Sequence, residues 1–229
     1  MTDLPNDLLV VIFFYIQIQD LLTTVNRVCR RFYELIKYTP VLWSVVHLDY
    51  PLKVSKENLE VLLTYSTKKK TLLLPCTSVL CNIPETDWLF TTVNFKTLVW
   101  LDLTDVRIST LCFLYSAPQL KTLNVSGCKQ LIDEDFLVLK SCQKLEQIYV
   151  SFTNIAPETL ELICQNKALI VVDACDVHLQ LDQCRNILAN TVGHIVYLHI
   201  SLHSSVVEED FKVQISNLFL DTSIKIFKR

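Results

Sequence analysis

LKTLNVSGCKQLIDEDFLVLKSCQKL, residues 120–145, holds the pattern from which the architecture of the chain can be read. It opens with Leu120, Leu123 and Val125, an L-x-x-L-x-L spacing. The alternation Thr122–Leu123–Asn124–Val125–Ser126 is that of a short strand with one buried face. Phe136, Leu137, Leu139 and Lys140 then fall at helical spacing, with Asp133 placed to cap the helix they predict. At Leu145 the first pattern begins again.

Working outward, the same motif recurs at Leu98–Leu101–Leu103, Leu145–Ile148–Val150, Leu169–Val172–Ala174 and Ile195–Leu198–Ile200. Successive middle positions are 22, 25, 24 and 26 residues apart. Weaker copies stand around Leu72–Leu74 and Val46–Leu48, with a step of 29 residues from Leu72 to Leu101 that predicts an irregular insertion near Ile83–Pro84. Helical segments are expected around Leu160, Leu162 and Ile163, with Pro157 in a first turn, and around Cys184, Ile187 and Leu188. A strand–helix unit of this size cannot hide its apolar faces alone, but stacked units share one continuous core. The stretch from 95 to 205 resembles leucine-rich repeats of the cysteine-containing kind, with Cys128 at the position after the strand and Leu131 behind it. Val106, Thr153 and Val177 or His178 depart from that pattern, so the turn ladder is expected to be incomplete.

The first fifty residues are not a repeat. Residues 4–16 read as an amphipathic helix, with Pro5 in its first turn and Asp7 near the positive end of its dipole. Leu8, Leu9, Ile12, Phe13 and Ile16 form a broad apolar stripe. Asp20 is placed to cap a second helix through Leu21, Leu22, Val25 and Val28, and a third crosses Phe32, Leu35 and Ile36 before Thr39–Pro40. Three such helices make a meagre private core, so they are expected to pack against the repeats or another protein. The run LPNDLLVVIFFYI, with Asp20–Leu21, Val28–Cys29–Arg30, Leu35 and Leu42–Trp43 at fixed spacing behind it, closely resembles an F-box; Phe32 stands where that family usually has tryptophan.

The two resemblances imply an α/β protein: a three-helix F-box at 1–49, then a short leucine-rich-repeat horseshoe at 50–229. About six to seven irregular units would place parallel strands on the concave face and helices on the convex one. They also imply a non-catalytic receptor in a ubiquitin ligase. The F-box would hold a Skp-type adaptor, and through it a cullin, while the repeats recruit a protein substrate. The adaptor residues implied are Leu4, Pro5, Leu8, Leu9, Ile12, Phe13, Leu21, Val28 and Leu35. Two alternatives stand beside this one. The repeats could be an interaction scaffold acting without ubiquitin transfer, or the helices could simply cap a repeat module.

The pleat predicts where a substrate would lie. If Leu101 and Leu103 face the core, then Trp100, Asp102 and Thr104 face out. Their equivalents are Thr122, Asn124 and Ser126; Gln147, Tyr149 and Ser151; Val171 and Asp173; and Tyr197, His199 and Ser201, with His47 and Asp49 extending the surface. Trp100, Tyr149 and Tyr197 are the natural anchors, because large aromatics dominate interface energy. Lysine and arginine are absent from this ladder, which argues against recognition through phosphate.

Composition excludes much else. Two glycines, Gly127 and Gly193, cannot build a phosphate-cradling loop or a nucleophile elbow. A net charge of −3 offers no nucleic acid or anionic lipid a basic face; Lys68–Lys70 reads as a solvated loop. The apolar run Leu8–Ile16 is too short to span a bilayer and lacks the basic flank of a signal peptide. Nine cysteines with no C-x2-C pair suit a reducing compartment and packing in the core. His199 and His203 are too far apart on a strand to share a metal. No local motif marks a nucleophile, and Cys175 beside Asp173 is a curiosity only. The expectation is a soluble monomer within a hetero-complex, cytoplasmic and/or nuclear, without cofactor, nucleic-acid or membrane partner. The C-terminal stretch 219–229 is expected to add an edge strand, with a tail folded back into the groove as the alternative.

Overall fold

The computed structural model describes residues 4–47, 71–74, 90, 95–191, 193–202 and 223–228. Among these, parallel strands follow one another in chain order across a single sheet. They are β1 (Val45–His47), β2 (Thr71–Leu73), β3 (Trp100–Asp102), β4 (Thr122–Asn124), β5 (Gln147–Tyr149), β6 (Val171–Leu179), β7 (Tyr197–Leu202) and β8 (Ser223–Lys228). Val46, Leu72, Leu101, Leu123, Ile148, Val172, Leu198 and Ile224 pair in one unbroken row. The first seven of these are the middle positions of the sequence motif, including both weak copies, and all seven are sealed from solvent. The edge strand expected at the C-terminal end is present as β8.

Parallel neighbours require a return path behind the sheet. The described returns carry short 3₁₀ helices at Cys112–Ser116 and Asp133–Ser141, then α-helices at Pro157–Cys164 and Leu181–Thr191. The segment from Asp133 is therefore 3₁₀ where helical spacing predicted an α-helix. A 3₁₀ helix rises about 2.0 Å per residue against about 1.5 Å, so nine residues cover more of the return. Asp133 is its first residue rather than its cap, and its carboxylate reaches the next return, accepting from Ala156 N at 2.8 Å and Thr159 Oγ1 at 2.5 Å. Pro157 does begin its helix.

The N-terminal part is helical: α1 (Asn6–Phe14), α2 (Ile18–Thr23), a 3₁₀ turn at Val25–Arg27, α3 (Arg30–Tyr38) and a second 3₁₀ turn, Pro40–Trp43, leading into β1. The two helices after Pro157 and Leu181 are α4 and α5 respectively. Pro5 is the residue before α1 rather than part of its first turn, and Asp20 lies inside α2, which starts three residues earlier than a cap at Asp20 would place it. Trp43 is the joint between the two parts. It is buried, and its indole Nε1 donates to the Ile36 carbonyl at 2.7 Å. Phe32 meets Phe13 edge-on with centroids 5.1 Å apart, so an aromatic contact is preserved where tryptophan is absent. One apolar core runs continuously from Leu9 in α1 to Ile200 in β7.

Strands β3 to β6 share one turn, which follows β3, β4 and β5 and interrupts β6 at its bulge. Asp105, Gly127, Phe152 and Asp176 occupy equivalent positions, and all four have left-handed backbones, φ between 58° and 80°. Asp102 and Asn124 set the turn by accepting from the backbone N–H two residues on, Thr104 N at 2.9 Å and Ser126 N at 3.1 Å. The turns then stack: Asp105 N donates to Ser126 O, Gly127 N to Ser151 O, and Phe152 N to Cys175 O. Cys128 adds a thiol bond to Leu103 O, whereas Thr153 Oγ1 bonds within its own repeat, to Val150 O. The side-chain ladder is incomplete, as the sequence implied.

Cys128, Cys142, Cys164 and Cys184 are core residues, while Cys29 and Cys112 are exposed, against expectation. Burial pushes the Cys128, Cys164 and Cys184 thiols up to about 12, so they remain protonated and inert. The Ile83–Pro84 insertion, Lys68–Lys70, Cys76, Cys81, Asp49, His203 and the His47 side chain lie outside the described residues.

Gly127 is held by two constraints: its left-handed backbone, and the Asp105 carboxylate lying where a Cβ would go. Gly193 has a left-handed backbone but open space around it. In urea unfolding, Gly127→Ala is expected to lose about 2 kcal/mol and Gly193→Ala about 1 kcal/mol.

Candidate binding surfaces

α1 is apolar on both sides. Leu9 and Phe13, one turn apart, point inward, with Phe13 2% exposed. Leu8, Val11, Ile12 and Tyr15 fall at i, i+3, i+4 and i+7 and point outward; Leu8 is 51% and Ile12 46% exposed. Leu4 and Val28 are exposed as well. Such a contiguous apolar stripe is unfavourable in water unless something covers it. Arg31 on α3 fixes the start of this face, donating from Nη2 to the Leu4 carbonyl at 2.5 Å and from Nε to Asn6 Oδ1 at 3.0 Å. A cleft of about 350 Å³ opens beside the stripe, lined by Phe14, Ile16, Ile18, Val41 and Val45.

The implied adaptor residues therefore divide. Leu4, Pro5, Leu8, Ile12 and Val28 are at the surface, and Leu35 is half-buried. Leu9, Phe13 and Leu21 are buried and belong to the core that supports the stripe. Val11 and Tyr15 were missed by sequence reading; their i+3 and i+7 spacing from Leu8 was the available signal.

The second surface is the outward face of the sheet. Trp100, Asp102, Thr122, Asn124, Gln147, Tyr149, Val171, Asp173, Tyr197 and His199 all lie on it as the pleat requires, in register across β3 to β7. Trp100 is 45% exposed, while Tyr149 and Tyr197 are half-buried. Burial, followed by the nearby Asp173 and Tyr197, raises the Tyr149 phenol above its usual range. Several polar candidates are occupied by one another. Asp102 accepts from the Thr104 hydroxyl at 2.7 Å and the Asn124 amide at 3.2 Å. Asp173 accepts from the Ser151 hydroxyl at 2.5 Å and pairs with His199 Nδ1 at 3.1 Å. Ser151 and Ser201 are buried, so they shape the surface rather than present a hydroxyl on it. Lys121 stands at one margin, paired with Glu146 at 2.5 Å.

A groove of about 550 Å³ runs past the turns that follow β3, β4 and β5 and onto β6 and β7. Thr104, Asp105, Ser126, Phe152, Asp173 and His199 are among its walls. Phe152 is 43% exposed despite its left-handed backbone, a conformation rarely held by a bulky residue. Sequence reading passed over Asp105 and Phe152, although both align with Gly127 one period away. Among the described residues no cluster of histidine, cysteine and carboxylate side chains could hold a metal, and no helix is long and apolar enough to cross a membrane.

Residues 1–49 match the family model described as F-box-like, so the chain carries an F-box-like domain. Such domains typically bind Skp-type adaptors, and the match suggests that role for this one. No curated protein matches the chain.

The two faces of α1 differ in what they do for stability. Leu8→Ala with Ile12→Ala is expected to shift urea unfolding by about 1 kcal/mol or less, whereas Phe13→Ala costs about 3–5 kcal/mol. Equal losses would mean that the outward stripe is part of the fold.

Proposed function

We propose that this protein is the substrate-recognition subunit of an SCF-type E3 ubiquitin ligase. The observation that carries the proposal is the outward stripe of α1, Leu8, Val11, Ile12 and Tyr15, on an F-box-like domain. Docking onto a Skp-type adaptor would remove this stripe from water, at about 25 cal/mol per Å² of apolar surface covered. Trp43, buried and bonded to α3 just ahead of β1, stiffens the joint, so an adaptor on α1 also sets the direction of the sheet.

The body is read as a leucine-rich-repeat horseshoe. Its unit of 22 to 26 residues, the in-register parallel strands and the returns behind them support this reading. Its outward face would then be the concave one, with Trp100 and Tyr149 as anchors for a protein client. The protein itself performs no bond chemistry. It holds a client near a thioester-charged enzyme carried on the cullin, raising the effective concentration of a client lysine. It acts as a monomer within the hetero-complex, in the cytoplasm and/or nucleus.

Leu8→Ala with Ile12→Ala is expected to abolish capture of a purified Skp-type adaptor while circular dichroism stays unchanged. Trp100→Ala with Tyr149→Ala should retain the adaptor and lose the clients that accumulate under proteasome inhibition. If the α1 variant holds the adaptor as firmly as the parent, the helices are only a cap. If clients are captured but never ubiquitinated, the scaffold role without ubiquitin transfer takes its place.

A further inference from the structure

The groove crosses from β3 to β7, four inter-strand spacings of about 4.8 Å, or roughly 19 Å. An extended peptide rises about 3.3 Å per residue, so about six residues fill this length. The chemistry of the groove is uneven along that line. Phe152 stands at its middle, on the β5 turn, with its ring exposed. On one side, over the β4 turn, lies the Asp105 carboxylate, because Gly127 has no side chain to keep it away. On the other side, on β6, lies Asp173, held in place by Ser151 and His199. An aromatic ring thus shares the groove with two carboxylates, Asp105 from the turn after β3 and Asp173 from β6. Thr104 and Ser126 line the same groove, and among the described residues no lysine or arginine does.

We infer that this groove takes an extended protein segment whose central side chain is a lysine or arginine, lying across Phe152 between Asp105 and Asp173. A cation over an aromatic face is attracted by the ring quadrupole, and the two carboxylates add charge complementarity. The left-handed backbone at Phe152 has a role in this arrangement. It turns the ring out over the rim, and the position is one where Asp105, Gly127 and Asp176 show that the turn itself needs no aromatic. The inference rests on the substrate-receptor reading and names the class of client segment for that same surface.

Two substitutions separate binding from folding. Phe152→Gly removes the ring and relieves the backbone; Asp105→Asn removes the charge and keeps a residue that tolerates the left-handed region. The probes are fluorescein-labelled hexapeptides identical except at one central position, which is arginine, lysine, citrulline or glutamate. Their anisotropy is followed with the full chain bound to its adaptor. The arginine and lysine peptides are expected to bind at least about tenfold more tightly than citrulline, with glutamate weaker still. Phe152→Gly should weaken the arginine peptide about fivefold and Asp105→Asn about threefold, with thermal midpoints no lower than the parent's for Phe152→Gly. Citrulline binding as well as arginine, absence of binding by every peptide, or an unchanged affinity in Phe152→Gly overturns the inference. Those results leave the receptor reading standing if Trp100→Ala with Tyr149→Ala still loses clients. Basic peptides that bind while Trp100→Ala with Tyr149→Ala keeps its clients would instead sink the receptor reading.

Discussion

One row of apolar side chains, Val46 to Leu198, has to stay dry for anything else in this molecule to hold. Seven successive strands each contribute one residue to it, in register. Parallel pairing at this spacing fixes the neighbours of every residue on either side. Trp100 must stand beside Thr122, and Asp102 beside Asn124. The surface chemistry of the sheet is therefore a direct consequence of which residues alternate with the buried row.

The repeated left-handed turn is the second consequence. The three-residue strands β3 to β5 must reverse quickly into their returns, and the shared turn, which in β6 lies within the strand, takes φ > 0 in every described repeat from β3 to β6. The chain meets that demand with aspartate twice, glycine once and phenylalanine once. Asx hydrogen bonds from Asp102 and Asn124 make the turn cheap in two repeats. In the β5 repeat the equivalent residue is Tyr149, which cannot make such a bond, and a Ser151–Asp173 link across the strands takes over. The strain left at Phe152 sits on the rim of the groove. Sites of this kind persist when the surrounding structure overdetermines them.

Much of this was legible in the sequence. The strand positions followed from a two-residue alternation repeated at a near-constant period, and the register places each middle residue where the motif did. Element existence was clearer than element type. The segment from Asp133 has apolar residues at helical spacing, but spacing alone does not tell nine residues of 3₁₀ from α when the return is short. The N-terminal helices were readable as helices, but their faces were not. α1 is apolar all round, so periodicity could not separate Leu9 and Phe13, which support the fold, from Leu8 and Ile12, which face out. That division depends on where α3 and Trp43 come to rest. Asp105 and Phe152 escaped because the turn they share is defined by backbone angle, and only Gly127 advertises that angle in its residue type.

The functional account depends on α1 being a helix with two owners: its inner face belongs to the fold and its outer face to an adaptor. Hydroxyl-radical footprinting of the protein with and without a Skp-type adaptor tests this most directly. Protection is expected at Leu8, Val11, Ile12 and Tyr15 when the adaptor is added, with Leu9 and Phe13 unreactive throughout. A stripe that reacts equally in both states would contradict the account.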